Sequence, residues 1–271
     1  MRDQSHCTPV LTATGAPHDF GANLVLHGQP YPLSLLARLG HPDCHQPEVG
    51  RLAARLFDFL FQQVASAELP HSVARHPTRM TARYPDQGFE GVCIDRSQKA
   101  VVVDVARAGI LGAQLFYDRL NEVLDPAGVR QDHLFVGRRT DDAGRVTGAG
   151  IAAAKIGGPV EGAVLVIPDP MGATGGSLCE VLAEYARIGA GTPARIVFVH
   201  LIVTPEYVRR IHGAHPDVRI HAIRLDRGFS SSAALEGRPG ARPAEERGLD
   251  DHQYIVPGAG GLGEVLNNSW V

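Results

Sequence analysis

From residue 100 onward the chain repeats one hydrophobic pattern. Residues 100–106, Ala-Val-Val-Val-Asp-Val-Ala, form a continuous β-branched run, as expected of a parallel strand buried on both faces. Ala108-Gly109 breaks it, and residues 110–120 read as a helix. Further strands read at 134–136, 163–167, 195–203 and 219–223, with helices at 178–187 and after Pro205. Strands alternating with helices predict an α/β fold, a doubly wound, open parallel sheet flanked by helices. Upstream, a helical segment follows the turn at Pro30 and Pro32 through Leu33, Leu35, Leu36 and Leu39. A longer helix follows Pro47, because Val49, Leu52, Ala53, Leu56, Phe59, Leu60 and Val64 recur at three- and four-residue spacing. Residues 66–98 are polar and irregular, with short strands. Residues 1–22 read as a loose leader and residues 23–271 as a single domain. Residues 229–250, poor in apolar side chains, read as a mobile surface insertion.

Composition narrows the class. With 271 residues and a hydrophobic fraction of 44% the chain can bury a sizeable core. A net charge of -3 gives no basic excess, so neither nucleic acid nor an anionic membrane is an expected partner. Positive charge is almost all arginine, with Lys99 and Lys155 the only lysines, which is a bias of composition rather than a sign of function. Cys7, Cys44, Cys93 and Cys179 are far apart in a chain that needs no staples, which points to a reducing, cytoplasmic setting. No signal-peptide pattern and no run of ~20 apolar residues is present. His41, Cys44 and His45 lack a second ligand pair at zinc spacing, and His200, inside an apolar strand, reads as a hydrogen-bonded core histidine.

The strongest local signal is residues 164–177, Val-Leu-Val-Ile-Pro-Asp-Pro-Met-Gly-Ala-Thr-Gly-Gly-Ser. A buried strand ends in Asp169, a loop of small residues follows, and a helix begins. Ala173, Thr174, Gly175, Gly176 and Ser177 can offer consecutive backbone N–H groups to a phosphate at the positive end of the helix. Thr174 and Ser177 add hydroxyl donors. Asp169, at the carboxyl end of a parallel strand, suits the hydroxyls of a ribose. No Lys follows the glycines, so this is not a Walker loop.

The string resembles the phosphoribosyl pyrophosphate motif of type I phosphoribosyltransferases, and in particular the Asp-Pro-Met-Leu-Ala-Thr-Gly-Gly-Ser version of uracil phosphoribosyltransferases, with one change at Gly172. The resemblance covers roughly residues 23–268. It implies that Asp169, Pro170, Met171, Gly172, Ala173, Thr174, Gly175, Gly176 and Ser177 hold the donor. Residues 105–109, Val-Ala-Arg-Ala-Gly, resemble the family's Ile-Leu-Arg-Ala-Gly, which places Arg107 on the pyrophosphate. An arginine ending a buried strand would also be costly without such a partner. Residues 136–142 resemble Met-Tyr-Arg-Asn-Glu-Glu, which makes Arg139 a second phosphate contact and residues 138–158 a flexible flap. Residues 204–206 and 215–218 resemble Ala-Pro-Glu-Gly and His-Pro-Asp-Val, and read as structural. Asp226 reads as a turn residue.

Residues 254–261, Tyr-Ile-Val-Pro-Gly-Ala-Gly-Gly, resemble the uracil-binding Tyr-Ile-Val-Pro-Gly-Leu-Gly-Asp. This implies a small base-binding hood, with Tyr254, Ile255, Gly260, Gly261 and Leu262 at the base and Tyr254, Ile255 and Pro257 bounding its faces. The family further implies UMP formation in pyrimidine salvage, Mg²⁺ brought with the donor, GTP binding, a homodimer or higher homo-oligomer, and no metal held by the protein itself. The chain departs from the pattern at Gly261, where the family has an aspartate, at Val265 in place of an arginine, and in the insertion at 229–250. Two rival readings therefore stay open: a regulatory or inactive homologue that binds the donor or a nucleotide, and a transferase for another base.

Overall fold

The unbroken apolar runs become the central strands of one sheet, because helices cover both of its faces. The computed structural model describes residues 6–8, 15–140 and 146–269, with the backbone alone at 138–140 and 146–149. The main sheet contains β1 (Leu24–Leu26), β4 (Ala100–Ala106), β5 (Val129–Thr140), β6 (Val146–Lys155), β7 (Val164–Pro168), β8 (Met171–Gly172), β9 (Arg195–Val203) and β10 (Arg219–Leu225). β2 (His71–His76) and β3 (Phe89–Ile94) form a separate antiparallel hairpin. The helices are α1 (Pro30–Leu39), α2 (Glu48–Glu68), α3 (Ile110–Val123), α4 (Gly176–Arg187), α5 (Pro205–Ala214) and the short α6 (Ser232–Glu236) and α7 (Leu262–Val265).

The strand order is β1-β10-β9-β7-β4-β5-β6, with β8 beside β9. Every pair is parallel except β5 with β6. Val101, Val103 and Val105 face a layer that holds Leu178 and Val181 of α4 and Tyr207 and Ile211 of α5. Ala100 and Val102 face the other layer, with Leu36 of α1, Phe57 and Leu60 of α2 and Phe116 of α3. This two-sided burial is the doubly wound arrangement expected of such runs. The stripe on α2 is wider than its spacing suggested. Phe57 and Phe61 are buried, with Phe61 edge-on to Phe116 at 5.4 Å, whereas Phe59 is half-buried.

Much of the stretch read as a flexible flap is strand, with β6 spanning Val146–Lys155. β5 runs on to Thr140 and pairs with β6, setting Arg139 opposite Gly148. β6, rich in Gly and Ala, has weak strand propensity of its own, and its partner strand decides its form. Residues 229–250 are held by polar contacts rather than by an apolar core. Glu246 is fully buried and accepts from Gly240 N at 2.8 and 2.9 Å and from Arg227 at 3.3 Å. Arg209 donates to Pro243 O and Glu246 O, and Gly248 N donates to Glu206. Of the leader, Ala16 N donates to Leu26 O and Asp19 N to Pro239 O, both at 2.7 Å, tying it to β1 and to the insertion.

Candidate donor and base site

The chain leaves β4 toward β5 and leaves β7 toward β9, so the crossovers diverge between β4 and β7. Ligands of open α/β sheets bind at such a switch point, outside the carboxyl ends of the strands. Arg107 follows β4 and Asp169 follows β7. Gly109 lets the two loops meet, since a Cβ there would lie 2.9 Å from Val105 O and 3.0 Å from Pro168 O. Arg107 is exposed and donates to the Ser269 hydroxyl. The expectation of a costly buried charge is therefore corrected: Arg107 follows a buried strand but its side chain is exposed to water.

Asp169 is half-buried and accepts from Met171 N at 3.3 Å. Burial pushes its carboxyl up to about 6, the Met171 N–H pulls the other way, and the charge of Asp104 adds to the rise. Asp104 itself is buried and bonded to His133 Nδ1 at 3.0 Å. Sequence reasoning passed over it, although an acid inside a valine run was the available signal. Pro170 and Gly172 are buried, while Met171, Ala173, Thr174, Gly176 and Ser177 are partly open. Gly175 caps α4 with φ +78°, a conformation that favours glycine. The first N–H groups of α4 have no intrahelical acceptor, and Gly176 N meets Thr174 Oγ1 at 3.4 Å.

Two buried side chains brace this loop from behind. His200 lies 2.5 Å from Asp169 O through Nδ1 and 2.6 Å from the Tyr207 hydroxyl through Nε2. A carbonyl only accepts, so Nδ1 carries the hydrogen and Tyr207 donates to Nε2. Burial lowers the His200 pKa to about 4, which keeps it neutral. His200 is thus the hydrogen-bonded core histidine expected of its strand. A Cβ on Gly172 would meet Tyr207 Cδ1 at 3.1 Å and Val203 Cγ1 at 2.9 Å. Thr204 Oγ1 donates to Ala173 O at 2.7 Å and caps α5, which links the loop to that helix.

The base loop is clamped to β10. Asp226, nearly fully buried, accepts from Arg224 at 2.5 and 2.7 Å and from Gly258 N at 2.7 Å, while Arg224 donates to Gly258 O at 3.0 Å. The reading of Asp226 as only a turn residue missed this clamp, because Gly258 lies 32 residues away. Tyr254 is exposed. Ile255 and Leu262 turn their side chains into the α1–α3 core, so Ile255 does not bound a base with its side chain; backbone groups are what this segment can present. Gly260 has φ +69°. A Cβ on Gly261 would meet the Glu264 carboxylate, the far end of a flexible side chain that can swing aside. Gln46 donates to Leu266 O at 2.7 Å, and a Cβ on Gly263 would lie 3.4 Å from Ala108 Cβ. The segment thus closes as a hood over the Arg107 loop. Arg139 is placed on β5, and its side chain lies outside the described residues. Among the described residues no three His, Cys, Asp or Glu side chains group to hold a metal ion, and Cys44 is packed in the core. No helix among the described residues is long and apolar enough to cross a membrane.

Fold and site together define a type I phosphoribosyltransferase architecture. A solved structure of the AQ2163 protein from Aquifex aeolicus superposes with a TM-score of 0.65 at 21% identity, covering 90% of this chain and 97% of that one. The chain matches the uracil phosphoribosyltransferase family model over residues 29–237 and belongs to that family. It is 39% identical over 102 residues to a uracil phosphoribosyltransferase of Streptococcus equi subsp. zooepidemicus, covering 38% of each chain. It is 38% identical over 112 residues to one of Geobacillus kaustophilus, covering 41% of this chain and 43% of the relative. These alignments span less than half the length of the curated relatives.

Proposed function

We propose that the chain is a uracil phosphoribosyltransferase, which joins uracil to the ribose of phosphoribosyl pyrophosphate and releases pyrophosphate. The observation that carries this reading is the meeting of the Arg107 loop, Asp169 and the phosphate loop at one switch point under the base hood. The reaction displaces pyrophosphate at ribose C1′ by a ring nitrogen of the base, through an oxocarbenium-like transition state. Charge grows on the leaving pyrophosphate, so catalysis needs positioning and electrostatic stabilisation more than a strong base. In this reading Arg107 and Arg139 take the pyrophosphate, residues 173–177 the 5′-phosphate, and Asp169 the ribose hydroxyls. Magnesium enters as part of the substrate, on the donor's phosphate oxygens, in keeping with its preference for phosphate and a few carboxylates.

Backbone amides and carbonyls near Gly260 and Gly261 would read the alternating carbonyl and N–H edge of uracil. The glycine at position 261, where the resembling motif has an aspartate, favours a second reading, a transferase for a base with a different edge. Exposed Val73, Met80, Tyr84 and Phe89 on and around the β2–β3 hairpin support assembly into a homo-oligomer, and four free cysteines support a reducing compartment. The test supplies the purified protein with donor, Mg²⁺ and one base at a time, and identifies the product by mass. UMP from uracil supports the main reading. A nucleotide from another base alone moves the specificity. No nucleotide from any base, with the donor bound, leaves a regulatory homologue.

A further inference from the structure

The loop of residues 173–177 is bordered by more than its own residues. Arg210 lies on α5, exposed, with its guanidinium against the N-terminus of α4. A Cβ on Gly176 would lie 3.6 Å from Arg210 Nη1, 3.7 Å from Arg210 Nη2 and 3.7 Å from Thr174 Oγ1. The guanidinium and the Thr174 hydroxyl therefore flank the same point of the loop. The guanidinium also reaches Cys179 in the first turn of α4, where it opposes the upward push of burial on the thiol. The placement follows from the packing of α5. Thr204 ties its first turn to Ala173, Tyr207 and Ile211 face inward against Gly172 and Gly175, and position 210, three residues after Tyr207, falls beside Gly176.

A cation at this place is unfavourable in itself, because the first turn of a helix already carries partial positive charge. Arg210 forms no ion pair with a described carboxylate, unlike Arg224 with Asp226, and the neighbouring Arg209 spends its donors on Pro243 O and Glu246 O. Two positive elements meet at one point of the loop, and among the described residues no carboxylate is paired with Arg210 there. We propose that Arg210 is a binding residue for the 5′-phosphate dianion of the donor and of the nucleotide product, acting with the loop at 173–177 and separately from the pyrophosphate side at Arg107. This rests on the donor-site reading above and adds a side chain from outside the loop to it.

The experiment is calorimetric titration of the full chain with ribose 5-phosphate and, separately, with magnesium pyrophosphate. Arg210→Ala is expected to weaken ribose 5-phosphate about tenfold or more, the size of one lost charge-assisted contact, while pyrophosphate binding stays within about twofold. Arg210→Lys, which keeps the charge, is expected to recover part of the loss. Thermal unfolding at the wild-type temperature confirms that the variants are folded. Wild-type affinity for ribose 5-phosphate in folded Arg210→Ala overturns the proposal while the donor site stands. A wild-type chain that binds neither ribose 5-phosphate nor phosphoribosyl pyrophosphate overturns both.

Discussion

The ring of Tyr207 fills the space that Gly172 leaves under the phosphate loop. The resembling family motifs carry Leu at the first position and Gly at the second, so the bulk has moved from the loop to α5. The departure at Gly172 is in this way matched by a second one in contact with it. Gly172→Leu is expected to cost about 1–3 kcal/mol by overpacking, and Tyr207→Ala about 3–5 kcal/mol by cavity formation. The double variant should be more stable than the sum of the two losses by over ~1 kcal/mol. Denaturant unfolding of the four proteins measures this, and strict additivity contradicts it.

Asp169 gives the site a pH signature. A carboxyl raised from 3.8 to about 6 binds its proton more tightly in the folded than in the unfolded chain. Its contribution to stability falls as pH rises through that window, and the full cost is present above it. Asp169→Asn should therefore raise the unfolding free energy at pH 7.5 by on the order of 1–2 kcal/mol after allowance for partial exposure, and do little near pH 4. The same substitution should lower kcat/KM for the donor by far more than ~tenfold, and the wild-type value should decline as pH drops below about 6. A flat profile, or donor use retained in the variant, removes Asp169 from the ribose.

The Arg224–Asp226 pair orients the base loop through Gly258. Arg224→Ala is expected to raise KM for the base about tenfold and leave KM for the donor within about twofold, because a shift of the loop misplaces the base and not the phosphates. Steady-state kinetics with each substrate varied decides it. Equal changes in both constants point to general loosening instead.

At the opposite end of the sheet, Glu68 is buried among Arg195, Arg219 and His221, and His221 in turn meets His27 at 3.0 Å. Burial alone would raise the Glu68 carboxyl, but the His221 hydrogen bond and the surrounding positive charge outweigh it and hold it down at about 2. A depressed carboxylate contributes stability above its unfolded value, and that contribution disappears as pH falls through about 2. Glu68→Gln should cost about 2–4 kcal/mol with kcat unchanged. A melting temperature equal to that of the wild type contradicts this.

The central strands and both donor loops were legible because their signals are local: β-branched runs at 100–106 and 195–203, and an acid followed by a small-residue loop at 169–177. What stayed hidden depends on partners distant in sequence. β6 takes its form from β5, the insertion is tied by Glu246 and Arg227 rather than by apolar residues, and Asp226 finds Gly258 only in the fold. Exposure was misjudged for the same reason. Arg107 ends a buried strand yet points into water, and Ile255 sits in the base loop yet faces the core.

The central claim is tested most directly by pyrophosphate release with uracil, phosphoribosyl pyrophosphate and Mg²⁺, measured in the wild type and in Asp169→Asn. The account predicts pyrophosphate and UMP in equal amounts from the wild type and a loss far beyond ~tenfold in the variant. No release from the wild type with any base, or equal release from both proteins, contradicts it.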